Sequence, residues 1–187
     1  MKKFIITLML IALLAASCFV VNGYTSISNG TECFLCSLGY SGGTIKVLNV
    51  YTSGTPISGN LVTIYTYSGS NTQKWKIVLN DDLPGVPPSE VPTDSYRILT
   101  MGDSTETLAL NFNQSSYGGC TVYPYDTNDT DDFPVGFNTA SGGGYTIWLV
   151  NRPSRYLGNS GSTNGSQCYW YIIGNNGISS EDIWLML

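Results

Sequence analysis

The sequence predicts an all-β fold built from three similar copies of about four short strands each. Short runs of alternating apolar and polar residues follow one another after residue 23, separated by clusters of Gly, Pro, Asn and Asp. Runs of this length and spacing are typical of sandwiches and barrels. A Tyr-x-Tyr strand, a polar turn and a closing aromatic residue occur in this order three times. Because one copy cannot bury its apolar face alone, the repeats indicate a closed, twelve-stranded architecture around a shared core.

The repeat is clearest between the first two copies, which match after a shift of 58 residues. Each copy has a tyrosine pair and a closing aromatic residue that we expect to be buried in the shared core. The pairs are Tyr65 and Tyr67, Tyr123 and Tyr125, and Tyr169 and Tyr171, and the closing residues are Trp75, Phe133 and Trp184. We place the copies at about 31–79, 95–135 and 143–187. Residues 80–94 hold four of the eight prolines and are interpreted as a surface connection.

The first 23 residues are predicted to be a signal peptide that is removed. Lys2 and Lys3 precede an apolar run, 4–16, which is too short to span a bilayer. Small residues before Tyr24 place the cleavage there and leave 24–187 as a single domain. The stretch "LLAASC" also fits a lipoprotein signal, so a lipid anchor at Cys18 is the alternative to secretion.

Charge and residue types argue against several functions. Removing the two N-terminal lysines leaves six of the eight basic residues against thirteen acidic ones, a net charge of about −7. Such a chain is a poor partner for nucleic acids, and after signal cleavage we expect no membrane insertion. The chain has no histidine, which removes Ser-His and Cys-His pairs and most zinc sites.

Acidic residues could still support two kinds of chemistry. A carboxylate-pair glycosidase could use Asp131, Asp132, Glu181 and Asp182, but these acids lie in repeat-equivalent turns, which favours a structural role. Residues 128–132 resemble a calcium loop in composition, yet the spacing and glycine of an EF-hand are missing. We therefore expect no enzyme activity, no cofactor and no bound metal.

Four cysteines remain after signal cleavage, namely Cys33, Cys36, Cys120 and Cys168. An even number in a secreted chain predicts two disulfides, with three possible pairings. The Cys33-x-x-Cys36 spacing favours a structural role over metal or redox chemistry, because the chain has neither a second such pair nor a histidine.

Four Asn-x-Ser/Thr sequons would make the chain a glycoprotein in a host that adds N-linked glycans. They lie at Asn29, Asn113, Asn128 and Asn164. Their number is about what the composition produces by chance, so they mark possible attachment points only.

Several segments of the first copy resemble the ricin B-type lectin repeat. The family pattern is roughly Leu-Asp-Val, then Gly-x-x-Val-Gln-Leu-aromatic, then Asn-Gln-x-Trp. In this sequence 48–50 (Leu-Asn-Val), Gly59, 62–65 (Val-Thr-Ile-Tyr) and 72–75 (Thr-Gln-Lys-Trp) occupy those places. The resemblance extends from about Cys33 to the C-terminus and weakens from the first copy to the third. It implies a β-trefoil with up to three sugar sites.

The resemblance also implies where a sugar would bind. In the family, the Asp of Leu-Asp-Val accepts hydrogen bonds from sugar hydroxyls and an aromatic ring stacks beneath the sugar. Here Tyr65 would be the ring and Asn49 the hydroxyl reader, with an amide in place of the usual carboxylate. The other candidates are Thr63, Asn71 and Thr72 in the first copy and Asn111, Thr121, Tyr123, Thr130 and Asp131 in the second. In the third copy Gly158 lacks a polar side chain and leaves Gln167 and Tyr169, so this copy is expected to bind least well.

Two residues of the motif are assigned structural roles. Gln73 and Trp75 are interpreted as turn and core scaffolding rather than ligands. The sequence thus predicts a secreted carbohydrate-binding protein whose partners are glycans or glycoproteins. Two alternatives belong to other classes: a trefoil protease inhibitor that uses the 80–94 loop, and an extracellular protein-binding or structural scaffold with decayed sugar sites.

Overall fold

The computed structural model describes residues 27–39, 43–80, 95–113, 118–125, 133–140, 143–173 and 177–187. The predicted signal peptide, Cys18, nearly all of the 80–94 connection and the acidic turn at 128–132 lie outside the described residues. The first lobe consists of β1 (Thr31–Cys33), β2 (Leu35–Ser37), β3 (Lys46–Val50), β4 (Val62–Thr66), a first 3-10 turn (Asn71–Gln73) and β5 (Trp75–Leu79). The second consists of β6 (Tyr96–Thr100), β7 (Leu108–Asn113), β8 (Gly119–Pro124) and β9 (Val135–Thr139). The third consists of β10 (Tyr145–Leu149), β11 (Arg152–Asn159), β12 (Cys168–Ile172), a second 3-10 turn (Ser180–Asp182) and β13 (Ile183–Met186).

Each described lobe has four strands once β1 and β2 are treated as one. Only Phe34 separates them, and its backbone exchanges two hydrogen bonds with Leu187, at 2.9 and 3.0 Å. The prediction of an all-β fold with three copies of four strands is therefore confirmed. The second copy extends to Thr139, beyond the predicted boundary at 135.

Six strands close into a barrel when β1 and β2 are counted as one. The antiparallel pairs follow one another in a ring: β1 with β5, β5 with β6, β6 with β9, β9 with β10, β10 with β13, and β13 with β2. The other strands form the hairpins β3–β4, β7–β8 and β11–β12. The hairpins are joined by a β8–β12 pair and by two bridges, one of Leu61 with Thr121 and one of Thr63 with Gln167. This is the β-trefoil arrangement, in which closure leaves few strand edges open to aggregation.

The core collects inward-facing residues from all three lobes, because alternate positions of each hairpin point inward. Trp75 and Trp184 are fully buried in it. The indole N–H of Trp75 donates to the carbonyl oxygen of Leu48 at 3.1 Å, and that of Trp184 donates to the carbonyl oxygen of Leu157 at 2.9 Å. We call these two bonds the indole clamps. In both the first and the third lobe, the clamp joins the last strand of the lobe to its hairpin.

Phe133 departs from the predicted symmetry. It is buried, but it packs with Leu99 and Ala109 in a small separate cluster instead of joining the two tryptophans. The guanidinium of fully buried Arg97 lies 5.9 Å from the Phe133 ring centroid and 5.4 Å from that of Tyr125. The predicted equivalence of Phe133 with the two tryptophans is wrong, because Val135 pairs with Tyr96 and Leu149 just as Trp75 pairs with Cys33 and Thr100. Phe133 lies two residues before that position, and the valine there has no N–H to form an indole clamp.

A tryptophan from the third lobe reaches the second lobe through the core. Trp170 is 1% exposed, and its indole N–H donates to the carbonyl oxygen of Asn111 at 3.3 Å. The corresponding hairpin positions hold Ile64 and Val122. The larger ring thus fills core volume that the second lobe does not fill with a closing tryptophan.

Cys33, Cys120 and Cys168 are buried thiols of this core. Burial raises the pKa of Cys33 to about 12 and also raises the pKa values of Cys120 and Cys168. The β8–β12 register, set by Tyr169 opposite Gly119, places Cys168 opposite Cys120. The near-continuous strand that contains Cys33 and Cys36 separates their Cα atoms by roughly 10 Å, too far for a disulfide. The two predicted disulfides stay a prediction, but a Cys33–Cys36 bond does not fit this fold.

Helices are nearly absent from the described ranges. None found there is both long and apolar enough to cross a membrane.

Candidate functional site

Equivalent places in the three hairpins hold three cross-strand pairs. These pairs are Asn49 with Thr63, Asn111 with Thr121, and Gly158 with Tyr169. Two residues after the second member of each pair comes a tyrosine, and the three tyrosines are Tyr65, Tyr123 and Tyr171. Their side chains are 40, 47 and 36% exposed, so each lobe presents part of an aromatic ring to solvent.

This register corrects the predicted alignment of the third copy by two residues. Tyr171 rather than Tyr169 takes the place of Tyr65, and Tyr169 takes the place of Thr63. The indole clamps fix the frame, because both end on the leucine that precedes the first member of the pair. Gly158 stands where the sequence comparison put it, at the position of the family's Asp.

In the first lobe an amide and a ring lie close together on the outer face of β3 and β4. Asn49 is 8% exposed, and its Oδ1 accepts a hydrogen bond from Thr72 Oγ1 at 3.1 Å. Tyr65 is its diagonal neighbour across the strand pair. Within the described residues the buried hydroxyl of Thr63 has no hydrogen-bond partner. Asn71 begins the 3-10 turn and is exposed.

Gln73 holds the turn against β4 and is only 1% exposed. Its Oε1 accepts hydrogen bonds from the N–H and the hydroxyl of Ser68, at 2.8 and 3.1 Å. Its Nε2 donates to the carbonyl oxygen of Thr66 at 2.9 Å. These contacts agree with a scaffolding role, since they fix the turn that presents Thr72 to Asn49.

The second lobe arranges the same residue types differently. Asn111 is 9% exposed, and its Nδ2 donates to Thr121 Oγ1 at 3.2 Å, within the hairpin itself. Tyr123 is exposed and lies near the backbone of Gly59, whose φ of 85° requires a left-handed conformation. The candidates Thr130 and Asp131 fall outside the described residues. One amide donor of Asn111 is therefore already used inside the protein.

The third lobe takes its polar group from the turn instead of the strand. A Cβ atom at Gly158 would lie 2.5 Å from Asp182 Oδ1, so the carboxylate fills the space of the missing side chain. The sequence comparison missed this contact because it considered only the strand position. Two features of the sequence together could have indicated the contact. The strand position holds Gly158, and Asp182 lies two residues before the closing tryptophan, where the first copy has Gln73.

Comparisons with known proteins identify the fold. No family model and no curated protein match the chain. Among solved structures it is similar to a mosquitocidal holotoxin, with a TM-score of 0.66 and 17% identity over 86% of this chain, which spans only 17% of the holotoxin. It is also similar to the Rhizoctonia solani agglutinin, with a TM-score of 0.62 and 14% identity over 88% of this chain and 99% of the agglutinin. A Macrolepiota procera ricin B-like lectin, solved with lactose, gives a TM-score of 0.59 and 14% identity over 87% of this chain and 98% of the lectin. The chain therefore has the β-trefoil fold found in ricin B-like lectins, as the sequence resemblance implied.

Proposed function

We propose that this protein binds carbohydrate and that the first lobe is its principal site. The observation that supports this is the half-exposed ring of Tyr65 beside Asn49, whose amide is braced by Thr72. A pyranose has one face of C–H groups and a rim of hydroxyls, so it needs an aromatic surface and a few fixed polar groups. Bracing from the turn fixes the polar group before a sugar arrives, which lowers the entropic cost of binding.

Titration calorimetry with lactose, followed by a glycan array, tests the proposal. Lactose is the first probe because a lectin of this fold was solved with it. Tyr65→Ala removes the ring and should weaken binding by about 1–3 kcal/mol, the range of a single aromatic hot spot. Tyr67→Ala is the matched control, because Tyr67 is also 40% exposed but its ring contacts Phe34 edge-on at 4.9 Å.

The outcome of these titrations separates the classes of function. Binding that survives Tyr67→Ala and is lost in Tyr65→Ala supports the first-lobe site. If wild type binds nothing on the array, the protein-binding scaffold or protease-inhibitor alternative replaces the lectin proposal. The 80–94 connection would then be the first segment to delete.

Secretion without catalysis is the second part of the proposal. A secreted form that begins at Tyr24 would lack Cys18, whereas a lipid-anchored form would retain it. The intact mass of the secreted protein distinguishes the two and also reports glycans on the sequons. Counting thiols in denaturant tests the disulfides, and on the strand register we expect any bond to include Cys120 and Cys168.

A further inference from the structure

A buried lysine of the first lobe touches an asparagine side chain of the third lobe. Lys46 is the first residue of β3 and is only 6% exposed. Its Nζ contacts Asn164 Oδ1 and also donates a hydrogen bond to Thr66 Oγ1 at 3.0 Å. Asn164 lies in the connection between β11 and β12. The fold therefore holds a primary amine against a carboxamide that is 118 positions away in the chain.

The carboxamide oxygen of Asn164 accepts hydrogen bonds from three donors. Besides Lys46 Nζ, the backbone N–H and the hydroxyl of Thr66 donate to it, at 2.8 and 2.9 Å. Donors that converge on a carbonyl oxygen stabilise the negative charge that this oxygen gains when a nucleophile attacks the carbon. The side-chain carbon Cγ of Asn164 is thus made more reactive toward the amine beside it.

The hydroxyl of Thr66 connects the amine to the amide oxygen. It accepts the hydrogen bond from Lys46 Nζ and donates its own to Asn164 Oδ1. Thr66 is the cross-strand partner of Lys46 in the β3–β4 hairpin, so the strand register fixes its position. An amine must lose a proton as it attacks a carbonyl carbon, and a hydroxyl between the two groups can pass that proton to the oxygen.

The backbone around Asn164 is held in place by β4. The N–H of Gly165 donates to the carbonyl oxygen of Ile64 at 3.0 Å, and the N–H of Ile64 donates to the carbonyl oxygen of Ser166 at 2.9 Å. The backbone nitrogen of Gly165 is the other nucleophile next to Asn164, and its attack would form a succinimide. That attack would break the bond to Ile64, whereas attack by Lys46 leaves the backbone hydrogen bonds intact.

We infer that Lys46 and Asn164 form an intramolecular isopeptide bond, which joins the first and third lobes covalently. Lys46 Nζ bonds to Cγ of Asn164, and the bond between Cγ and Nδ2 breaks. The lysine ammonium gives up two protons and the departing NH2 group takes up two, so an ammonium ion is released without an oxidant or a reductant. Because the fold already holds the two groups together, their effective concentration is high.

The bond has two consequences for the protein, and neither depends on carbohydrate binding. A link between residues 118 positions apart restricts the unfolded chain and so favours the folded state. Asn164 is also the acceptor of one of the four sequons. Since the reaction removes Nδ2, a cross-linked Asn164 carries no N-linked glycan.

Intact mass spectrometry of the reduced protein, made in a host that adds no N-linked glycans, tests the inference. Wild type should be lighter than its sequence by one ammonia, and trypsin should not cleave after Lys46 but should yield one branched peptide that contains Lys46 and Asn164. Lys46→Arg keeps a cation that can donate to the same oxygens, but a guanidinium is a poor nucleophile, so this variant should have the mass of its sequence. Lys74→Arg is the matched control, because Lys74 is ion-paired with Glu32 and its replacement should leave the loss of ammonia unchanged.

A second pair of variants tests the proton path. Thr66→Ser keeps the hydroxyl and should cross-link completely. Thr66→Val keeps the backbone N–H and the shape of the side chain but removes the hydroxyl, so part of the protein should retain the full mass. Circular dichroism of each variant shows that it has folded.

The possible failures are distinguishable. Folded wild type with the full mass of its sequence overturns the inference. Loss of ammonia that persists in Lys46→Arg also overturns it, because the product would then be the succinimide of Asn164 and Gly165. Complete cross-linking of Thr66→Val contradicts the role of the hydroxyl as the proton path. Glycan binding is measured separately, so none of these results bears on the proposed function.

Discussion

The first and third lobes share one backbone frame but supply their polar group from opposite sides of it. Their indole clamps are nearly identical, 3.1 Å from Trp75 to Leu48 and 2.9 Å from Trp184 to Leu157. In the first lobe the strand contributes Asn49 and the turn braces it. In the third lobe the strand contributes only backbone and the turn contributes Asp182.

This difference follows from side-chain length at one position of the turn. Gln73 is long enough to reach the carbonyl of Thr66 and the backbone of Ser68. Its amide nitrogen and oxygen are therefore both hydrogen-bonded in holding the turn to β4. Asp182 is one methylene shorter and has no donor when ionised, so it caps its own turn through Ser179. The oxygen that the cap does not use faces Gly158. A similar backbone can therefore present an amide in the first lobe and a carboxylate in the third. The choice depends on the residue of the strand, Asn49 or Gly158, and on the residue of the turn, Gln73 or Asp182, which are far apart in sequence.

The largest expected effect tests the shared frame. Trp75→Ala and Trp184→Ala should each lower the free energy of unfolding by about 3–5 kcal/mol, because each removes a fully buried ring and its clamp. Phe133→Ala should cost less, since Phe133 packs in a small cluster and clamps no carbonyl. Urea unfolding followed by circular dichroism measures all three. A Phe133→Ala loss equal to that of the tryptophans would contradict the asymmetry between the lobes.

Much of this frame could be predicted from the sequence, because strand alternation and the position of a buried ring are local patterns. The register of the third hairpin could not be predicted in this way. Its strand reads Tyr169-Trp170-Tyr171, so either tyrosine satisfies a two-residue period. Only the pairing of Leu157 with Trp170 selects one of them. The place of Phe133 was likewise beyond sequence reasoning, because hydrophobicity predicts a buried ring but not that Val135, two residues later, takes the position of the tryptophans.

The polar groups of the first and third lobes also differ in whether the sequence could predict their positions. The Tyr65 and Asn49 positions follow from a motif within one hairpin, so the sequence comparison located them. The contact of Asp182 with Gly158 joins residues 24 positions apart in the chain. It depends on the path of the turn, which no local pattern describes.

An intermediate effect is expected where the two turns differ. Gln73→Asp should lower the free energy of unfolding by about 1–3 kcal/mol, because the shorter side chain leaves part-buried hydrogen-bonding groups at Thr66 and Ser68 without their partner. Asp182→Gln, the reciprocal change, should disturb the Ser179 cap and crowd the space above Gly158. Urea unfolding of both variants measures the effects. No change in Gln73→Asp would mean that the turn does not depend on this side chain, and the length argument would fail.

The smallest expected effect makes the first lobe resemble the third. Asn49→Asp keeps an oxygen to accept the hydrogen bond of Thr72 Oγ1, so the fold should be retained. Charge-assisted hydrogen bonds to sugar hydroxyls are stronger than neutral ones, so lactose affinity at this site should stay or rise, by less than about tenfold. Calorimetry on wild type and the variant, with urea unfolding as the control for stability, measures the change. If the folded variant instead loses affinity, the amide N–H of Asn49 is the group that donates to a sugar hydroxyl, and a carboxylate at this position cannot replace it.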